Sequence, residues 1–385
     1  MNTKESYLNL GGTLRSETSV NTIERLKRLL PSLGITRVAN VTGLDCIDIP
    51  VAVCIRPNSK HLAVSQGKGL NWELAWISAV MESIEGYHAE NAKPAVVVGT
   101  YSALKKQHSV ITPQLFLQGF FKITQCEEWA MGWAEASECV TNKTVLIPHA
   151  LSCLDSTVIH PEYSFFSVSS NGLAAGNTLD EAKCHALYEI IERDALYQWA
   201  KLSVEERFTK QIKLDSITST LNKELIEKIK SAQQIIKIWE VTSKLGIPTY
   251  HCVIVDTNPL RNLGLFSGTG THLSKEIALS RAITEAAQSR LTLISGSRDD
   301  VFNDHYHKKA TFHYPSQSID GLRSFDESKP IEIKPTFAEH FAFMVDSLYA
   351  HSFKQILVVN HTKETFKIPV VHLFVPGMQY NGRRI

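Results

Sequence analysis

The run Asn177-Thr-Leu-Asp-Glu-Ala-Lys-Cys-His-Ala-Leu-Tyr-Glu-Ile-Ile-Glu-Arg-Asp194 spaces its polar side chains by whole helical turns. Asn177, Glu181, His185, Glu189 and Glu192 step by four, four, four and three, while Ala, Leu, Tyr, Ile and Cys fill the gaps. At about 100° per residue these positions share one face, so the spacing predicts a helix over 179–199 with a polar stripe on an apolar body. Carboxylates on a core-forming helix need a metal ion or a basic partner. Glu181 has a second use, because Thr178-x-x-Glu181 is a capping box. His185 reads as a hydrogen-bonded core histidine rather than as a ligand.

The offsets zero, four and seven of His185, Glu189 and Glu192 recur in Ser78, Glu82, Glu85 and in Arg281, Glu285, Gln288. Each set spans an arc of roughly 60° on its own helix, and the three invite one shared site. The first helix, 72–90, carries Glu73, Glu82, Glu85 and Glu90 with no Lys or Arg to support them at i+4. Divalent metal ligation accounts for that, as does a surface face neutralised from elsewhere; Mg²⁺ takes carboxylate oxygens and shares its other positions with phosphates. The third helix, 275–293, places Arg281 and Gln288 around Glu285, with Arg290 beyond. Arginine forks match phosphate geometry, and an ordinary Arg281–Glu285 ion pair is the alternative. Taken together the sets point to a Mg²⁺-nucleotide site.

A glycine-bearing segment and a candidate cap precede each helix: Gly67-Lys-Gly69 with Asn71, Gly172 to Gly176 with Thr178, and Gly268-Thr-Gly270 with Ser274. As loops they would offer backbone N–H groups to phosphate, although most such loops are merely turns. No Walker A sequence is present. Glu85-Gly-Tyr-His88 has the spacing of di-iron bundles, which need that pair twice; the second copy is missing.

Forty basic against 39 acidic residues leave a net charge of +1, which gives no global field for nucleic acid or an anionic membrane. The first residues lack a signal-peptide core and no segment reaches membrane-spanning length, so a cytoplasmic protein is expected. Seven scattered cysteines, none spaced Cys-x-x-Cys, read as free buried thiols. A helix is expected over Thr22–Leu33, and strands at 50–55, 94–99, 248–255, 355–359 and 369–375. Residues 297–335 are polar and suit a long excursion or lid-like loop, or equally a disordered surface loop. The irregular alternation gives an α+β class.

Beyond the three sets, the runs Val41-Thr-Gly-Leu-Asp45, Gln66-Gly-Lys-Gly-Leu70, Ser170-Asn-Gly-Leu-Ala-Ala-Gly-Asn177, Glu189-Ile-Ile-Glu-Arg-Asp194, Thr284-Glu-Ala-Ala-Gln-Ser-Arg290 and Gly296-Ser-Arg-Asp-Asp300 stand in order along the chain. Through them the protein resembles the YcaO family. The resemblance implies an ATP-binding α+β fold with long helices lining a nucleotide cleft and mixed or antiparallel sheets. It also implies one YcaO-like domain over 1–385, with 1–60 as an N-terminal helix and strand region and the ATP-binding motifs in 61–385. It assigns Lys68, Ser78, Asn177, Glu181, Arg281, Glu285 and Gln288 to the nucleotide and Glu82, Glu85, Glu189 and Glu192 to Mg²⁺. Glu189, Glu192, Arg193 and Arg281 become the catalytic set.

The family chemistry is ATP-driven activation of a peptide-bond carbonyl, giving an azoline with a side-chain nucleophile or a thioamide with a sulfide donor. The ending Val375-Pro-Gly-Met-Gln-Tyr-Asn-Gly-Arg-Arg-Ile385 has one proline where azoline-forming relatives carry a Pro-x-Pro-x-Pro tail. The expectation is therefore the thioamide branch, similar to YcaO proteins that work with a TfuA partner. A separate TfuA-like or leader-peptide-binding partner and a homodimer are also expected, with no fused leader-peptide-binding domain. Azoline formation, a binding-only scaffold and a small-metabolite ligase or kinase are the competing readings.

Overall fold

The three striped helices form as Trp72–Glu90, Leu179–Ala200 and Lys275–Ser295 in a computed structural model that describes residues 6–116, 123–158, 162, 165–166, 168–256, 263–307 and 322–379. Each begins at its expected cap. Asn71 Oδ1 accepts from the Leu74 N–H at 2.9 Å, Thr178 Oγ1 from Glu181 at 3.2 Å and Ser274 Oγ from Ile277 at 3.3 Å, satisfying N–H groups that a helix start leaves open. The first helix of the chain is Ser19–Leu29, earlier than expected, because Thr18 caps it by accepting from Asn21.

The described residues pack as two units, each built from separate pieces of chain: 1–57, 62–83 and 191–340 in the first, and 58–61, 84–190 and 341–385 in the second. The first unit holds two three-stranded antiparallel sheets. One is Arg37–Asn40, Val51–Ile55 and Val64–Lys68; the other is Gln234–Glu240, Thr249–Asp256 and Leu265–Thr271. Its core places Ala278, Ala282, Ile283 and Ala286 of the Lys275 helix against Tyr250, Cys252 and Ile254. Small residues on that helix let it lie close to the sheet. The second unit is built on a six-stranded sheet in the order Val97–Gly99, Met131–Glu138, Leu357–Asn360, Val370–Phe374, Leu173–Ala175, with Thr144–Pro148 also paired to Met131–Glu138. Every pairing between described strands is antiparallel. Among the described residues no helix is long and apolar enough to cross a membrane.

The three helices end three copies of one motif. Adding 107 to the numbers of the first set gives the second, and adding 203 gives the third, for caps and stripes alike. The N–H groups of Gly69, Gly176 and His272, which these shifts equate, donate to the carbonyls of Pro50, Pro369 and Pro248 at 3.2, 3.1 and 3.2 Å. Each proline precedes the middle strand of its copy, whose first N–H donates at 3.1 Å to a threonine hydroxyl: Val51 to Thr42, Val370 to Thr362, and Thr249 to Thr242. A proline cannot donate to a ladder, so it sits where the strand begins. In two copies the chain order is strand, strand, strand, helix. In the other, Leu357–Asn360 and Val370–Phe374 come from the far end of the sequence to join Leu173–Ala175 ahead of the Leu179 helix.

This arrangement corrects the reading of the glycine segments. Gly67 lies within Val64–Lys68, and Gly268 and Gly270 within Leu265–Thr271, so they are strand and not loop residues. A Cβ on Gly67 would stand 2.3 Å from Ala75 O and 2.0 Å from Ala79 N; one on Gly270 would stand 2.1 Å from Ala278 O and 2.6 Å from Ala282 N. In both cases the clash falls on the eighth and twelfth residues beyond the glycine. Glycine lets each strand press against the backbone of the helix that follows, and the N–H groups of Gly69 and Gly176 are already bonded rather than open to phosphate.

Candidate functional site

Burial picks out the predicted stripes. Between residues 74 and 85, only Ser78, Glu82 and Glu85 are not fully buried; between 277 and 288, only Arg281, Glu285 and Gln288 are. The remaining side chains of those stretches are core. On the Leu179 helix His185, Glu189 and Arg193 are partly open, whereas Glu181 and Glu192 are buried.

In the first unit, Lys68, Glu192, Arg193, Arg281 and Glu285 form one electrostatic group. Lys68 closes the strand Val64–Lys68 and its Nζ lies 2.8 Å from Glu285 Oε2. Burial and then the neighbouring Glu285 charge raise the Glu192 carboxyl to about 8, against the pull of Arg281, Arg193 and Lys68. The Nε of Arg281 is buried and meets no hydrogen-bond partner among the described residues. A guanidinium N–H left in that state fits an anion supplied from outside the chain. Gln288 Nε2 donates to Gln66 O at 3.1 Å, fixing its amide against the same strand. Glu82, on the Trp72 helix, lies 3.7 Å from Arg298 Nη1.

In the second unit, Glu85 Oε1 accepts from the Ala175 N–H at 2.7 Å, so one of its oxygens is used to hold backbone. Glu181 Oε1 is 3.9 Å from His185 Nε2, and Asn177 is buried just before the Thr178 cap. Glu189 stands one turn from both His185 and Glu192 on its helix.

Several expectations need correction. Arg290 offers no fork to phosphate: it is fully buried, with Nε 2.8 Å from Asp45 and Nη1 3.1 Å from Asp256. That contact gives the Val41-Thr-Gly-Leu-Asp45 run a structural purpose. Five cysteines are buried, but Cys46 is exposed and Cys139 half-buried, so the thiols are not uniformly in the core. The 297–335 excursion contains the short helix Asn303–His307 and a turn of 3₁₀ helix at Phe325–Glu327, while 308–321 lie outside the described residues. The tail beyond Gln379 does too.

The sequence reading also passed over two side chains. Arg298 was read only as part of a motif run. His251, on the middle strand Thr249–Asp256, is buried beside Thr269 with Nδ1 3.2 Å from its Oγ1. Burial drives it down to about 4, partly offset by the Glu285 charge, so it stays neutral near pH 7. Neither residue falls on a helical stripe, the only signal the spacing carried.

Among the described residues no three His, Cys, Asp or Glu side chains are gathered as a ready metal cage. Mg²⁺ does not need one, since it commonly takes one or two carboxylates, waters and the phosphates of its substrate. A donor set of carboxylates next to an unpartnered guanidinium N–H fits that mode.

The family model described as YcaO cyclodehydratase, ATP- and Mg²⁺-binding, matches residues 66–379. A Rhizobium leguminosarum bv. trifolii protein of the tfuA 3′ region is 32% identical over 383 residues, covering 95% of this chain and 88% of its own. A Methanothermobacter thermautotrophicus protein is 31% identical over 91% of each chain. Among solved structures, Methanopyrus kandleri YcaO bound with AMPPCP and Mg²⁺ superposes with a TM-score of 0.73 at 17% identity, covering 97% of this chain and 95% of that one. A heterocyclase in complex with substrate and cofactor gives a TM-score of 0.76 at 20% identity over 99% of this chain, which spans about half, 54%, of the heterocyclase. At such identities the structural matches speak for the fold.

Proposed function

Because this chain belongs to the YcaO family, whose members are ATP-dependent peptide-modifying enzymes, we propose that it uses Mg²⁺-ATP to activate a backbone amide of a peptide or protein, with a thioamide as product. The observation that carries the nucleotide reading is the first unit's charged group, where Lys68, Arg193 and Arg281 act on Glu192 and Glu285 and Arg281 Nε meets no hydrogen-bond partner among the described residues. Phosphoryl transfer needs positioning and charge stabilisation rather than a protein nucleophile, and the group supplies both.

In this reading Lys68, Ser78, Asn177, Glu181, Arg281, Glu285 and Gln288 bind the nucleotide, and Glu82, Glu85, Glu189 and Glu192 hold Mg²⁺. Mg²⁺, when bound, offsets the charge of the β- and γ-phosphates. Glu189, Glu192, Arg193 and Arg281 serve the transfer itself, with the two arginines facing the charge that builds on the moving phosphoryl group. A sulfide nucleophile adds to the amide carbon; the carbonyl oxygen takes the γ-phosphoryl group and ADP leaves; the C–O bond then breaks, releasing phosphate and leaving C=S.

Support for sulfur as nucleophile is the 32% identity to the protein of the tfuA 3′ region, which also motivates a separate TfuA-like partner. A homodimer, cytoplasmic location and a single catalytic domain belong to the same proposal. The test is mass spectrometry of a peptide substrate co-expressed with this chain and a TfuA-like protein. A mass gain equal to one oxygen exchanged for sulfur is expected. Loss of one water would replace the thioamide with an azoline, and an unmodified peptide with no ADP release would remove the activity altogether.

A further inference from the structure

The first unit contains the three strands of two copies of the motif, with the Trp72 helix as far as Ser83 and the whole Lys275 helix, and the two copies exchange cations. Glu82 and Glu285 occupy the same position in the two copies, 203 residues apart. Lys68, at the end of the third strand of one copy, reaches Glu285 on the helix of the other at 2.8 Å. In the opposite direction, Arg298, just past the end of the Lys275 helix, reaches Glu82 at 3.7 Å. Lys68 has an assigned part in the nucleotide reading; Arg298 has none.

The chain is built to hold that arginine in place. Gly296 ends the helix in the left-handed region at φ 56°, with its N–H on Thr292 O at 3.2 Å, a standard glycine stop. Two residues later the Arg298 guanidinium docks onto Asp300 through two bonds, Nε to Oδ1 at 2.8 Å and Nη2 to Oδ2 at 2.7 Å. This fork-to-carboxylate geometry fixes the plane of the guanidinium and leaves Nη1 turned to Glu82. The intervening Asp299 accepts from the Ala63 N–H at 2.6 Å, which fastens the turn to the entrance of the strand that ends in Lys68. The arginine side chain is 11% exposed, against 42% for Glu82 and 49% for Asp300, so the cation is the enclosed member of the trio.

We propose that Arg298 is a positioning residue that holds Glu82 in its metal-facing orientation, with Asp300 as its clamp. The proposal rests on the Mg²⁺-nucleotide reading above. A lysine cannot reproduce it, because a point charge cannot bond Asp300 twice and still address Glu82. Loosening Glu82 lowers the fraction of molecules ready to receive the cation and weakens metal-dependent nucleotide binding without altering contacts to the nucleotide alone.

The experiment is calorimetric titration of the full-length chain with AMPPNP, with and without Mg²⁺, for the wild type, Arg298→Met, Arg298→Lys, Asp300→Asn, Glu82→Gln and the Arg298→Met/Glu82→Gln double variant. A several-fold loss of the Mg²⁺-dependent gain in affinity is expected for Arg298→Met and Arg298→Lys. A smaller loss is expected for Asp300→Asn, with affinity measured without Mg²⁺ unchanged. The double variant should be no worse than Glu82→Gln, since both act through one carboxylate. Folding is monitored by thermal melts, and Asp300→Asn, which keeps the arginine, carries the test if Arg298→Met unfolds. A wild type that gains nothing from Mg²⁺ would overturn the nucleotide reading and this inference with it. A wild type that gains, beside variants that gain equally or a double variant with additive losses, would overturn the inference alone.

Discussion

Lys68 Nζ and Glu285 Oε2 stand 2.8 Å apart although 217 residues separate them, tying the last residue of one strand to the middle of the helix Lys275–Ser295. Both side chains keep some exposure, 21% and 29%, so the pair adds little to stability and its charge remains available to a ligand. Lys68→Met should therefore change stability by no more than about 1 kcal/mol. The Kd for Mg²⁺-AMPPNP should rise by about tenfold or more, close to 1.4 kcal/mol per decade. Differential scanning fluorimetry and titration calorimetry on the same preparation read both. A large loss of stability with unchanged affinity would make Lys68 a structural residue.

Glu192 gives a pH dependence with a fixed sign. Its folded value of about 8 lies above the ordinary carboxylate range, because burial and the Glu285 charge disfavour ionisation. Between roughly pH 4.5 and pH 8 the folded state holds a proton that the unfolded chain has lost, so this group erodes stability as pH rises through that window. Glu192→Gln should flatten the fall in melting temperature across it. Metal binding needs the ionised carboxylate, so Mg²⁺-AMPPNP should release protons near pH 7 in the wild type and fewer in Glu192→Gln. Calorimetry in buffers of different ionisation heat counts them. Equal release in both would assign the proton elsewhere.

Gly270→Ala should be among the most damaging small substitutions in the first unit, because the new methyl would lie 2.1 Å from Ala278 O and 2.6 Å from Ala282 N. Both neighbours are helix backbone and cannot step aside individually, so a loss of about 1–3 kcal/mol or more is expected from urea unfolding. Gly67→Ala, with the same eight- and twelve-residue neighbours, should match it. Gly246→Ala is a useful contrast: a methyl there meets nothing within 4 Å, and only the positive φ of 73° is strained. Losses at Gly67 and Gly270 no larger than that at Gly246 would mean that close packing does not set the cost.

Much of this was legible in the sequence because it is decided within one helix. Which of residues 74–85 or 277–288 turn away from the core follows from rotation per residue, and Ser78, Glu82, Glu85, Arg281, Glu285 and Gln288 lie where periodicity puts them. The caps Asn71, Thr178 and Ser274 act on N–H groups three residues away, which local spacing also determines. The Gly67 and Gly270 segments read as loops in the sequence because a glycine needed for close packing has the same letter as one needed for a turn. Asp45 with Arg290, and Glu82 with Arg298, were out of reach for another reason. Their partners are more than two hundred residues away, and only the folded arrangement of the sheets brings them together.

The copy that ends in the Leu179 helix must wait for its own first strands. Leu173–Ala175 has Val370–Phe374 as its partner, so during synthesis it leaves the ribosome nearly two hundred residues before the strand that completes its ladder. The two uninterrupted copies can close as soon as they emerge, whereas this one carries an unpaired edge in the meantime. Non-local pairing of that kind is slow. Closing the six-stranded sheet therefore depends on residues 357–374, and a chain cut short before them would leave the Leu173–Ala175 ladder without its partner.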